Sequence, residues 1–184
     1  MSNNTTMRAL SYGIVSPRDL LEKLRLDAAR LVDIPHPHDI FNFIITAAVL
    51  AEWVEKYYKE SSKSGEFIVA KRNQEWKIPG ISEEWIVDTS HLPNAESGIQ
   101  RGIVVCLSIC AHVANASKHF YWKDSGAVNS IGDDPPIEDY DQYFFTSTEP
   151  DVYVEFKKEN YGMKQIAGVL LQFYAALIEY FESE

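Results

Sequence analysis

The sequence predicts a mainly α protein: a four-helix bundle core with a small β-hairpin before the C-terminal helix. Three observations carry that expectation. Four segments repeat apolar residues at helical spacing. One short stretch, about 142–158, is rich in aromatic and β-branched residues around a Pro-Asp turn. The chain has 184 residues, 46% of them apolar, enough for one packed core and close to the common size of one domain.

Residues 1–15 read as a flexible N-terminal tail, and 16–184 as a single helical domain without internal repeats. Ser16-Pro17 is a helix start, a capping residue before a proline at the first helical position. Asp19 and Glu22 suit the positive end of that helix. Leu20, Leu21, Leu24, Ala28 and Leu31 then recur with charges between them, so an amphipathic helix is expected over about 17–32. "DIPHPHD" breaks it, because two prolines alternate with His36 and His38.

A second helix is expected over about 39–60. "IFNFIITAAVLAEWVEKYY" is apolar almost all the way round, as a central buried helix would be. Asn42 and Thr46, four apart, are its only polar residues before Glu52. Buried polar groups need partners, and a polar group on the neighbouring third helix is the expected one.

Residues 61–93 are irregular. "FIVA" reads as a short extended piece, "KIPG" as a turn, and Ser82 with "EEWIV" as a capped turn or two of helix. The third helix is expected from about Asn94 to Trp122, with Asn94 as cap. Ile99, Ile103, Cys106, Cys110 and Val113 form one apolar row on it. Cys106 and Cys110 lie four apart on one helix, a poor disulfide geometry, and read as small buried hydrophobes. "DSGAVNSIGDDPPIEDYD" reads as a loop. "QYFFTST" and "VYVEFKK" flank Glu149-Pro150-Asp151 as the hairpin strands. A lone hairpin is marginal in water, so it is expected to dock on the bundle or on a partner. The last helix, about 161–182, carries a wide apolar stripe from Met163 to Phe181.

Net charge is −10, unevenly spread: residues 1–131 carry −1 and residues 132–184 carry −9. The acidic third would repel a phosphate backbone and attract a basic partner. No apolar run approaches the ~20 residues that cross a bilayer. "MSNNTTMRALSYG" lacks the apolar centre of a secretory signal. The expectation is a cytoplasmic protein without a membrane partner.

"ICAHVANASKHFYW", residues 109–122, is the stretch richest in chemistry. At 100° per residue, Arg101, Ser108, His112, Asn115 and His119 fall in one sector of the third helix, bordered by Lys118. His112 and His119 are about 10 Å apart along that helix, too far for one zinc ion with bonds of ~2 Å. No metal and no cofactor is expected. Two alternatives stay open. His119 acts as general acid–base, with Lys118, Asn115 and His112 stabilising a phosphate. Or His112 and Asn115 hydrogen-bond Asn42 and Thr46 in a polar seam between helices.

A long helix ending in "HVANASKHF" within a small helical bundle resembles the HEPN superfamily. The resemblance implies a helical bundle and a metal-independent ribonuclease of toxin–antitoxin or anti-phage defence systems. It implies RNA as substrate, an antitoxin as one class of partner, and a homodimer across which the active site is assembled. His119 would be the motif histidine. The motif arginine would fall at 112–114, where His112 is the one titratable cation. The alternative belongs to a different class of function: a non-catalytic binding or oligomerisation module working through the acidic C-terminal third. Self-association is expected on the surfaces of the third and last helices.

Overall fold

The computed structural model describes residues 13–32, 35–61, 68–70, 75–77, 99–117, 128–132 and 152–183. Within them the protein is mainly helical. Four helices, α1 (Pro17–Ala28), α2 (Pro37–Tyr57), α3 (Ile99–Ser117) and α4 (Met163–Glu182), form the bundle. Packing follows a ring: α1 lies against α2 and α4, and α3 lies against α2 and α4.

Local chemistry sets the helix starts. Ser16 caps α1 through a reciprocal box: its hydroxyl accepts from the Asp19 N–H at 3.3 Å, and the Asp19 carboxylate accepts from the Ser16 N–H at 3.0 Å. The same carboxylate also accepts from the Val15 N–H at 3.0 Å. These bonds hold the Asp19 pKa below its ordinary value, the Val15 contact foremost. The expected flexible tail therefore does not extend to Val15; residues 1–12 lie outside the described residues. The first helix ends at Ala28, a turn earlier than expected, with Ala29 as its cap.

Helix α2 begins two residues before the expected start. Pro37 occupies the first helical position, and the His36 imidazole Nδ1 accepts from the His38 N–H at 3.3 Å. A histidine ring thus does the capping usually left to Ser, Thr, Asp or Asn. The His36 and His38 rings stack at 4.7 Å. Asn94 and residues 118–122, expected ends of the third helix, lie outside the described residues.

The hairpin before the last helix is present, with a different turn. Strand β4 (Tyr153–Phe156) pairs antiparallel with β5 (Glu159–Gly162) across Lys157-Lys158. Both turn residues have positive φ, 53° and 69°, the pattern of a type I′ turn. On its other edge β4 pairs with β3 (Val128–Gly132), with an irregularity between Val128 and Ser130. The strand and turn expected over 142–151 lie outside the described residues. Strand β3 falls where the sequence reads as a loop: its Asn, Ser and Gly carry little strand preference, and pairing with β4 overrides that. Two further short strands, β1 (Ile68–Ala70) and β2 (Glu75–Lys77), form an antiparallel pair, β2 lying beside α3.

The sheet feeds directly into α4, whose first N–H, on Met163, donates to the Val152 carbonyl at 2.8 Å. Val154, Phe156 and Tyr161 turn inward and join the helical core. That core contains Leu24, Phe43, Ile44, Leu50, Ile103, Ile109, Ile166 and Phe173, all fully buried. Cys106 and Cys110 are buried free thiols. Burial pushes the Cys110 thiol up to about 12 and raises that of Cys106 further from ionisation, so neither is a nucleophile.

The α4 stripe is spent within the chain. Met163, Ile166, Val169, Leu170, Phe173, Tyr174, Leu177, Ile178 and Phe181 are all buried, which leaves no apolar stripe on α4 for the expected self-association. No helix among the described residues is long and apolar enough to cross a membrane.

Candidate functional site

Two polar groupings could carry chemistry. The first lies where the C-terminal half of α3 meets the tip of the β4–β5 hairpin. His112 is half-buried, its ring centroid 5.7 Å from that of Phe156. Lys157, the next residue, places its Nζ 5.3 Å from the Phe156 ring centroid. Burial first, and the Lys157 charge second, lower the His112 pKa below its ordinary value. His112 is therefore a neutral imidazole at neutral pH, able to accept a proton or a hydrogen bond. The fixed positive charge beside it belongs to Lys157. Asn115, on the same side of α3, is exposed.

The rest of the predicted stripe separates by role. Ser108 is buried and donates to the Val104 carbonyl one turn back, at 2.7 Å. Ser117 does the same to Ala114 at 2.7 Å. Such back-bonding satisfies the hydroxyl within the helix and leaves it unsuited to nucleophilic work. Lys118 and His119 lie outside the described residues.

The second grouping corrects the expected seam. Thr46 is buried, but its hydrogen bonds run to α1 rather than to α3. Its hydroxyl donates to the Asp27 carboxylate at 2.6 Å and accepts from Lys23 Nζ at 2.7 Å. Lys23 also pairs with Asp27 at 2.5 Å, one turn apart on α1. Asp27, with 4% of its surface exposed, is the buried charge, and this triangle of donors and acceptor satisfies it. Asn42 is exposed, so it does not belong to a buried seam. The triangle has the makings of a structural clasp: Lys23 Nζ, the Thr46 hydroxyl and Asp27 Oδ2 are each bonded to the other two.

A third contact closes the ends of three helices. Glu182 of α4 accepts from the Arg18 guanidinium of α1 and from the Tyr58 hydroxyl at 2.9 Å, and the Tyr58 ring stacks on Phe181 at 4.6 Å. The Arg18 hydrogen bond holds the Glu182 carboxyl below the usual range.

Sequence reasoning missed Phe156 and Lys157 at the first grouping and Lys23 and Asp27 at the second. The tandem lysines of "FKKEN" were the available signal for a turn tip; nothing local could place them beside His112. Among the described residues no group of three or more His, Cys, Asp or Glu is arranged to hold a metal ion. No protein-family model matches the chain, and no curated protein and no solved structure matches it.

Proposed function

We propose that the C-terminal end of α3 is an acid–base site acting on RNA without a metal, in a HEPN-like component of toxin–antitoxin or anti-phage defence in the cytoplasm. What supports the reading is the neutral, half-buried His112 beside the Lys157 charge, with the Asn115 amide exposed on the same side. A neutral imidazole can take the proton of a 2′-hydroxyl as that oxygen attacks its own phosphate. Lys157 and Asn115 would stabilise the charge gathering on the phosphate oxygens. Lys118 and His119 follow α3 directly in sequence, and His119 is the group that would return a proton to the leaving 5′-oxygen. His112 thus takes the base role rather than that of a substitute cation, and Lys157 supplies the charge.

The test is cleavage of mixed-sequence RNA in excess chelator. Cleavage leaving 2′,3′-cyclic phosphate ends, lost in His112→Ala and His119→Ala and weakened in Lys157→Ala, is the expected result. RNA left intact from about pH 5 to pH 9, or cleavage that requires added metal, would sink the proposal.

The −9 charge of residues 132–184 favours a second reading, a non-catalytic module that binds a basic protein through its acidic third. Such binding would weaken sharply between 0.1 M and 1 M salt, where the Debye length falls from ~10 Å to ~3 Å.

A further inference from the structure

The turn of the β4–β5 hairpin carries cations in an otherwise acidic segment. Residues 132–184 hold twelve Asp/Glu against three Lys/Arg, and the three are Lys157, Lys158 and Lys164. Lys157 and Lys158 are both exposed and both at positive φ, 53° and 69°. A type I′ turn favours Asn-Gly or Gly-Gly at these two places, because the left-handed backbone strains a residue that carries a Cβ.

Within the chain only one of the two lysines has a visible use. Lys157 sets its Nζ 5.3 Å from the Phe156 ring centroid, and its charge acts on His112. Glu155 and Glu159 flank the turn in sequence, yet among the described residues neither lysine forms an ion pair. Glu159 accepts from the Tyr161 hydroxyl instead. The Lys158 ammonium forms no hydrogen bond or ion pair with a described residue. Strained residues of this kind cluster at ligand clamps and active sites.

We propose that Lys158 binds the phosphate adjacent to the one that His112 and Lys157 act on, so that the turn holds two successive phosphates of a single RNA strand. The inference rests on the acid–base reading and adds to it a strand type and a second contact.

Consecutive Cα atoms are ~3.8 Å apart, and each ammonium ends a flexible four-carbon stem. The two cations can therefore reach neighbouring phosphates without a change of backbone. Lys157 is the lysine whose charge bears on His112, which leaves the next phosphate to Lys158. Charge favours one strand over two. A duplex carries a negative charge about every 1.7 Å of its axis. Two cations within a segment of net charge −9 match the sparser charge of one strand and cannot offset the denser one. A phosphate contact carries no base information, so Lys158 holds strands of any sequence.

A short 2′-deoxy oligonucleotide, which lacks the attacking hydroxyl, separates binding from cleavage. Fluorescence anisotropy through a salt series gives its affinity for the full chain and the slope of log affinity on log salt. Lys158→Gln should weaken binding of every sequence alike and make that slope shallower by about 0.7, the share of one phosphate on a single strand. Lys158→Arg should restore both. Lys158→Gly should bind as weakly as Lys158→Gln while melting no lower than the parent, a combination that a merely structural lysine would not produce. A parent that leaves the oligonucleotide unbound at low salt overturns the proposal. So does tighter binding of the duplex than of the single strand, or a Lys158→Gln slope equal to the parent's. Cleavage, scored separately, tells the two readings apart. RNA cut by the parent, with Lys158→Gln cutting dilute RNA equally fast, removes the second contact alone. RNA left intact by a parent that binds through Lys158 removes the acid–base reading alone and keeps the turn as a single-strand contact.

Discussion

The Tyr174 hydroxyl, at the centre of α4, donates to the main-chain carbonyl of Ala47 on α2 at 2.7 Å. Both residues are fully buried, so the bond crosses the middle of the bundle between diagonal helices. Burial also raises the Tyr174 pKa well above its ordinary value, which keeps the proton on the donor. Tyr174→Phe removes the donor and keeps the ring. It should lower unfolding free energy by about 1 kcal/mol without changing the denaturant slope. An unchanged midpoint would show that the bond adds nothing net.

The clasp between α1 and α2 makes a contrasting pair. Thr46→Val leaves the buried Asp27 with one partner fewer and should cost roughly 1–3 kcal/mol. Asn42→Leu, at an exposed position four residues away, should stay within about 0.5 kcal/mol of the parent. Denaturant melts at monomeric concentration would check both. Equal losses at the two positions would contradict the assignment of Thr46 to α1 and of Asn42 to the surface.

The hairpin turn holds two lysines in a backbone region that suits glycine. Lys158, with φ 69°, sits in the left-handed region, which costs a non-glycine residue about 1–2 kcal/mol. Lys158→Gly should therefore stabilise the protein, by roughly 0.5–1 kcal/mol once the entropy of glycine is subtracted. A thermal melt that falls instead would mean the lysine side chain contributes more than the strain removes.

His112 should titrate below its ordinary value of 6.5, followed by the proton shifts of its ring. Burial is the larger cause and the Lys157 charge the smaller, so Lys157→Gln should raise the midpoint only part of the way back. The linked stability has a definite sign. The folded chain resists protonating His112 more than the unfolded chain does. This contribution is therefore complete above about pH 6.5 and is lost as pH falls through the lowered value. A midpoint above 6.5 would contradict the burial of the ring beside a lysine.

Acid should also loosen the bundle ends. Asp19 and Glu182 are both held below their ordinary values, by the α1 cap and by Arg18 respectively. What they contribute is present above the unfolded values near 4 and disappears as pH falls through the folded ones. Arg18→Gln should make the parent's acid transition shallower. An identical acid profile would show that the contact with Glu182 is not linked to folding.

The amino-acid sequence by itself determined the four helices, the first helix start at Ser16-Pro17 and the inward row of α4 from Met163 to Phe181. Those signals are local: capping, proline position and a 3.6-residue apolar period act within a few turns of backbone. It also placed a hairpin before the last helix and singled out His112 and Asn115 on one side of α3. Tertiary structure alone decided the partners. Thr46 meets Lys23 and Asp27 because α1, not α3, lies on that side of α2. Strand β3 forms because β4 offers it an edge more than twenty residues away. The Lys157 charge acts on His112 because the hairpin sets Phe156, the residue before its turn, against the His112 ring. The apolar period of α2 ran nearly all the way round, so no periodicity could tell which of its faces the bundle would bury. Only the packing around it shows that Phe41 and Val49 stay exposed while Phe43, Ile44 and Ala47 are buried.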